Sequence, residues 1–272
     1  MKLTITGVPE HFNYPIVSAL EQNPNFKNIS WTYSSGGTGQ MLAKLESGEV
    51  DAALLLTDGF IKSQESKESA PFFIDFYIGS PLVWGIHTHG DSELPQLPNT
   101  VSLPVLISRF NSGSHLMYKL LCHQQNWEEK ANYKVIGNLD GALEESKSKE
   151  DFLFLWEKFT TQPYVTTGNF KRIGEIPTPW PAFVLAVSPR IAKKEVKETL
   201  TDLLLKAKEI AAAPGCLEKF MTFSKLPAEL IEPWYRNTRW CGVSNGIEEL
   251  KKAAAILKEI GTIEDIPNFK VL

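Results

Sequence analysis

Residues 29–56, ISWTYSSGGTGQMLAKLESGEVDAALLL, decide the fold. Ile29, Trp31 and Tyr33 alternate with polar residues, as a half-buried strand requires. A small-residue loop, SSGG, follows. Residues 38–47 then place Met41, Leu42 and Leu45 on one helical face before Gly48 stops the helix. Residues 50–56 end in the unbroken apolar run AALLL, the pattern of a strand covered by helices on both faces of a parallel sheet. Upstream, residues 2–6 read as a short strand and residues 15–22 as a helix with Pro15 near its first turn, so the N-terminal third is βαβαβ around one open parallel sheet.

The pattern recurs downstream. After a strand-rich stretch at 72–87 come a strand at 105–108, the loop RFNSGS at 109–114 and a helix at 115–125. Strands at 133–137 and 152–156 flank a short helical pattern at 140–147. EIPTPWP, residues 175–181, reads as turn-rich, and the strand at 183–188 leads into a long helix, 192–213, closed by Pro214-Gly215. The C-terminal third is helical, and Asn245 with Glu248 makes a capping-box-like start for a final helix ending at Gly261. The reading is an α/β protein in two lobes, the second an excursion that leaves near 79–84 and returns near 177–182. Two such crossings predict a hinge.

Composition narrows the function. The 272 residues carry 28 basic and 32 acidic side chains, a net charge of -4, which gives nucleic acid no basic patch to meet. No run of about 18 apolar residues offers a membrane span, and no secretory pattern is visible at the N-terminus, so a cytoplasmic location is expected. The three cysteines, Cys122, Cys216 and Cys241, are widely spaced; they predict neither a disulfide framework nor a zinc site, and Cys122 reads as an inert buried thiol in a helix. Phosphate-loop, dinucleotide, nucleophile-elbow and HExxH motifs are all missing. His87-Thr-His89 with Asp91 reads as a solvated polar turn rather than a metal site. No cofactor, metal or catalytic residue is expected.

In open α/β sheets, ligands bind beyond the carboxyl ends of strands, where helix N-termini present free N–H groups and positive dipole character. Two loops suit an anion. In the first, Ser35, Gly36, Gly37 and Thr38 let backbone approach closely and add hydroxyls, although Thr38 could equally be an ordinary N-cap. In the second, Arg109 can grip a carboxylate, sulfonate or phosphate with two parallel hydrogen bonds, while Asn111, Ser112, Gly113 and Ser114 present donors to the same oxygens. Thr57 and Asp58, in a turn after the third strand, offer a carboxylate for a cationic group or a plain N-cap. Glu10 and His11 follow the first strand at the same level, and Glu157 ends a later strand as a floor for the cleft. Trp180, with Phe159 and Trp234, could stack on a planar ligand.

Residues 34–59, SSGGTGQMLAKLESGEVDAALLLTDG, and 108–127, SRFNSGSHLMYKLLCHQQNW, carry a resemblance. The chain resembles the type II periplasmic-binding-protein family, in the branch of sulfonate, nitrate and thiamine-pyrimidine-precursor binders and the related synthases. A subgroup with fungal members, labelled as candidate thiamine-biosynthesis proteins, looks nearest. The resemblance implies a two-lobed type II fold, with residues 1–82 and 183–272 in one lobe and 83–182 in the other. It implies hinge closure on a small anionic or heteroaromatic ligand held in the cleft between lobes. The synthases carry a cysteine-rich motif and a pyridoxal-phosphate lysine; here the cysteines are scattered and Lys62 lacks the surrounding pattern. Non-catalytic binding is therefore the first expectation. A thiamine-pyrimidine enzyme and a ligand-responsive protein with a protein partner are the alternatives.

Overall fold

A computed structural model describes residues 2–66, 68–97, 103–129 and 132–272. The expected alternation is present. Strand β1 (Leu3–Gly7), helix α1 (Tyr14–Gln22), strand β2 (Ile29–Tyr33), helix α2 (Gly37–Ser47) and strand β3 (Ala52–Leu56) follow one another, and both β2 and β3 pair with β1 in parallel. Gly48 ends α2 in the left-handed conformation, φ 82°, that a side chain rarely adopts, so the chain can turn straight back toward the sheet.

The chain divides into two compact units, one made of Met1–Pro81, Trp180–Lys258 and Ile263–Leu272, the other of Leu82–Pro179 and Glu259–Thr262. It passes between them along two 18-residue strands, β4 (Phe72–His89) and β8 (Phe170–Val187). The full hydrogen-bonded order is β2-β1-β3-β8-β4-β7-β5-β6, with β5 (Pro104–Ile107), β6 (Asn132–Val135) and β7 (Leu153–Glu157) in the second unit. The sheet is mixed. β8 runs antiparallel to β3, Leu54 opposite Leu185, because it arrives from the other unit. β5 pairs in parallel with β6 and β7, and β4 lies antiparallel to β7.

Two sequence expectations give way here. EIPTPWP is strand, not turn. Its prolines, Pro177, Pro179 and Pro181, stand at every second residue, so the three missing N–H donors fall on one edge, while Thr178 and Trp180 between them are buried. His87 and His89 likewise lie inside β4 and are buried rather than solvated.

Helix α3 (Thr57–Ser63) completes the N-terminal layer of the first unit, and α7 (Lys194–Ala212) packs on α1. Ile5, Ile16, Phe60, Phe76, Leu200 and Leu203 are fully buried there. The C-terminal helices α8 (Cys216–Ser224), α9 (Ala228–Asn237) and α10 (Gly246–Glu259) finish this unit. In the second unit, α4 (Gly113–Gln125), α5 (Leu139–Ser146) and α6 (Lys158–Thr166) flank a core of Leu106, Ala142, Phe152, Phe154 and Phe170.

Candidate functional site

In the first unit the loop after β2 is tied to its own helix. Gly36 N–H donates to the Gln40 side-chain oxygen (2.9 Å) and Gly37 N–H to the Ser34 carbonyl (3.2 Å), while Ser34 is buried and shares a hydrogen bond with Thr6 (2.9 Å). Ser35 and Gly36 remain exposed. Thr38 is no N-cap; that position falls to Gly36, and the Thr38 hydroxyl accepts the Leu56 N–H at 3.1 Å, pinning α2 to the end of β3.

Thr57 and Asp58 do not form a turn. They open α3 directly, with Leu56 in the N-cap position, because the Thr57 hydroxyl donates to the Pro181 carbonyl on β8 and closes the helix onto the sheet. Gly59 permits the approach: a Cβ there would sit 2.4 Å from a Thr38 methyl. Asp58 takes hydrogen bonds from its own N–H, from the Trp180 indole and from Gly59 N–H, but burial outweighs them and pushes its carboxyl up to about 6. Thr38, Thr57, Asp58 and Trp180 thus come together within one unit.

Glu10 and His11 go elsewhere. Glu10 starts a 3-10 turn, and His11 is enclosed by Phe12, Phe220 and Trp234, with ring centroids 4.6, 6.0 and 4.7 Å away. Burial pushes its imidazole down to about 3, so it is neutral at physiological pH and brings no positive charge to an anion.

In the second unit, β5 delivers the chain to residues 109–114. Ser112 is the N-cap of α4; its hydroxyl accepts the His115 N–H (3.4 Å) and donates to the Arg109 carbonyl (2.6 Å). Ser114 accepts the Ser108 N–H at 3.0 Å and faces Ser112 at 3.0 Å, so the two buried hydroxyls hold the loop's shape. Asn111 takes the left-handed conformation, φ 63°, and its N–H donates to His115 Nδ1 at 3.1 Å. Arg109 is exposed, and among the described residues no hydrogen bond or ion pair engages its guanidinium. Beside it, the N–H groups of Gly113 and Ser114 open the first turn of α4.

Glu157 ends β7 but is turned inward. Its carboxylate caps α6, accepting the Thr160 N–H (2.6 Å) and hydroxyl (2.8 Å), and burial raises its pKa. Around the same turn lies a network that no sequence spacing signals. His87 Nε2 meets the Thr161 hydroxyl at 3.0 Å and Arg172 Nε at 3.4 Å, and Arg172 donates to the Lys158 carbonyl (2.7 Å) and Gln162 (2.9 Å). Burial first, then the Arg172 charge, pushes His87 down to about 3. His87, Thr161 and Arg172 sit 74 and 85 residues apart in pairs, and only folding brings them together.

A separate cavity of about 1100 Å³ in the first unit is lined by Lys208, Tyr235, Arg239 and Trp240 among others, and by none of the predicted site residues. Burial pushes the Cys241 thiol up to about 12 and raises Cys122 and Cys216, which keeps all three from acting as thiolates. Among the described residues, no three His, Cys, Asp or Glu side chains gather as metal ligands, and no helix is long and apolar enough to cross a membrane.

Comparison with known proteins fits this architecture. Residues 84–176 match the family model of the Ca3427-like PBP. The CA3427 gene product of Candida albicans, which defines a family with the generic periplasmic binding protein fold, superposes with a TM-score of 0.83 at 23% identity, over 97% of this chain and 92% of that one. The alkanesulfonate-binding protein SsuA from Xanthomonas axonopodis pv. citri, bound to MOPS, gives 0.71 at 13% identity, over 100% and 96%. The ligand-binding component of an ABC-type import system from Staphylococcus aureus, with zinc bound, gives 0.73 at 13%, over 99% and 94%. No curated protein matches the chain. The chain has the α/β periplasmic-binding-protein fold that the resemblance implied.

Proposed function

We propose that this protein binds a small anionic or heteroaromatic metabolite without chemical transformation, the two units closing around it by a hinge. One observation carries the reading: Arg109, exposed and unengaged among the described residues, stands where β5 ends and α4 begins, with the first N–H groups of that helix beside it. A guanidinium and helix N–H groups at one strand end match the oxygens of a sulfonate, phosphate or carboxylate. The MOPS held by the Xanthomonas relative is of this chemical kind, which supports the reading.

The test is thermal-shift screening followed by calorimetry with MOPS, inorganic phosphate and an aminopyrimidine phosphate. Saturable stabilisation by at least one of them, weakened in Arg109→Ala, is the expected result. Flat responses to all three, or equal binding by the variant, would overturn it.

A further inference from the structure

Phe110 is 57% exposed, on a loop where every other residue is polar or glycine. It is nonetheless held in place. Its ring meets His115 at 5.5 Å and Tyr133 at 5.8 Å, both edge-on, and those two rings meet each other at 4.8 Å. Tyr118 packs edge-on against Tyr133 at 5.8 Å and anchors the group in the unit's interior, where Tyr118 is fully buried. The left-handed Asn111, its N–H bonded to His115 Nδ1, ties down the backbone next in sequence to the ring. More than half of an aromatic ring is thus left to solvent while neighbouring rings hold it, one residue from the unengaged Arg109. At the same sheet edge Val135, in register with Ile107, is 54% exposed.

Resting on the anion reading above, we infer that the ligand is an aryl anion, a planar aromatic ring bearing a sulfonate, phosphate or carboxylate, and that Phe110 is the residue that selects the ring. Arg109 supplies charge to any anion, whatever its tail. Only a flat, apolar or heteroaromatic body gains from a fixed phenyl face, because offset or edge-to-face ring contact and release of water act there together. An aliphatic anion would leave Phe110 wetted.

Calorimetry with methanesulfonate and benzenesulfonate separates the two parts. The wild-type protein should bind benzenesulfonate about tenfold more tightly than methanesulfonate. Phe110→Ala should bring that ratio to within about twofold while leaving methanesulfonate binding unchanged, and Phe110→Tyr should restore it. Because Phe110 is exposed, Phe110→Ala should melt within about 2 °C of the wild type, which checks the fold. A wild-type ratio near one, or a ratio that survives Phe110→Ala, overturns the inference and leaves the anion reading intact. If neither sulfonate binds, the inference falls, and the MOPS and phosphate arms above decide the anion reading on their own; if both sulfonates bind and Arg109→Ala changes neither, the anion reading falls and the inference with it.

Discussion

Two loops occupy the same station, each joining the carboxyl end of a strand to a helix N-terminus, yet they are built to opposite ends. The loop after β2 carries no charge; Gln40 and Ser34 take its glycine N–H groups, and Thr38 and Gly59 spend their chemistry on packing α2 against α3. The loop after β5 uses its serines to hold itself and leaves Arg109 and Phe110 outward. A shared position in a fold therefore fixes where a ligand could touch, while side-chain use decides which loop recognises it.

The sharpest way to break that contrast is to exchange charge for nothing. Arg109→Ala should weaken anion binding by about 2–3 kcal/mol, roughly 30- to 150-fold, in calorimetry, whereas Ser35→Ala should change it by less than about twofold. Equal losses would mean the loops share the work. Next in size is packing: Gly59→Ala drives a methyl into Thr38 and should cost about 1–3 kcal/mol in denaturant unfolding, with anion affinity kept.

Acid response separates two buried groups, His87 in the second unit and Asp58 in the first, by sign. His87 falls from its ordinary 6.5 to about 3 in the fold, so the unfolded chain takes up that proton first, and its contribution to stability is full above pH 6.5 and lost as pH drops toward 3. Asp58 rises from 3.8 to about 6, so its contribution is greatest below pH 4 and lost as pH climbs through 6. Unfolding curves between pH 4 and 6.5 should show His87→Gln less acid-sensitive than the wild type, and Asp58→Asn more so, each by at most about 1.4 kcal/mol per pH unit. Matching slopes would show that one of these groups is not held as the structure has it. The smallest expected effect is Thr38→Val, about 1 kcal/mol for the orphaned Leu56 N–H.

Much of this was legible in the residues themselves. Alternation at Ile29, Trp31 and Tyr33, the AALLL run and the stop at Gly48 marked β2, α2 and β3, because local burial imposes local periodicity. The loop at residues 109–114 could be placed for the same reason. The two long strands could not, since a proline cluster ordinarily breaks structure and only the partner strands reveal that Pro177, Pro179 and Pro181 share an edge. Nor could the inward turn of Glu157, the enclosure of His11, or the pairing of Asp58 with Trp180 across 122 positions, all of which depend on tertiary neighbours.

The long route of β8 has a consequence for how the protein is made. β3 must wait for residues 183–187, and the Thr57–Pro181 hydrogen bond spans 124 positions. At translation rates of about 5–20 residues per second, the edge of AALLL stays without its partner for roughly 6–25 s. During that interval the nearly contiguous unit from Leu82 to Pro179 emerges, ahead of the strand half that completes the first one. The nascent chain therefore carries an apolar strand edge of the kind that attracts other chains, and its safe synthesis calls for a holdase or for early docking of β1, β2 and α2 around it.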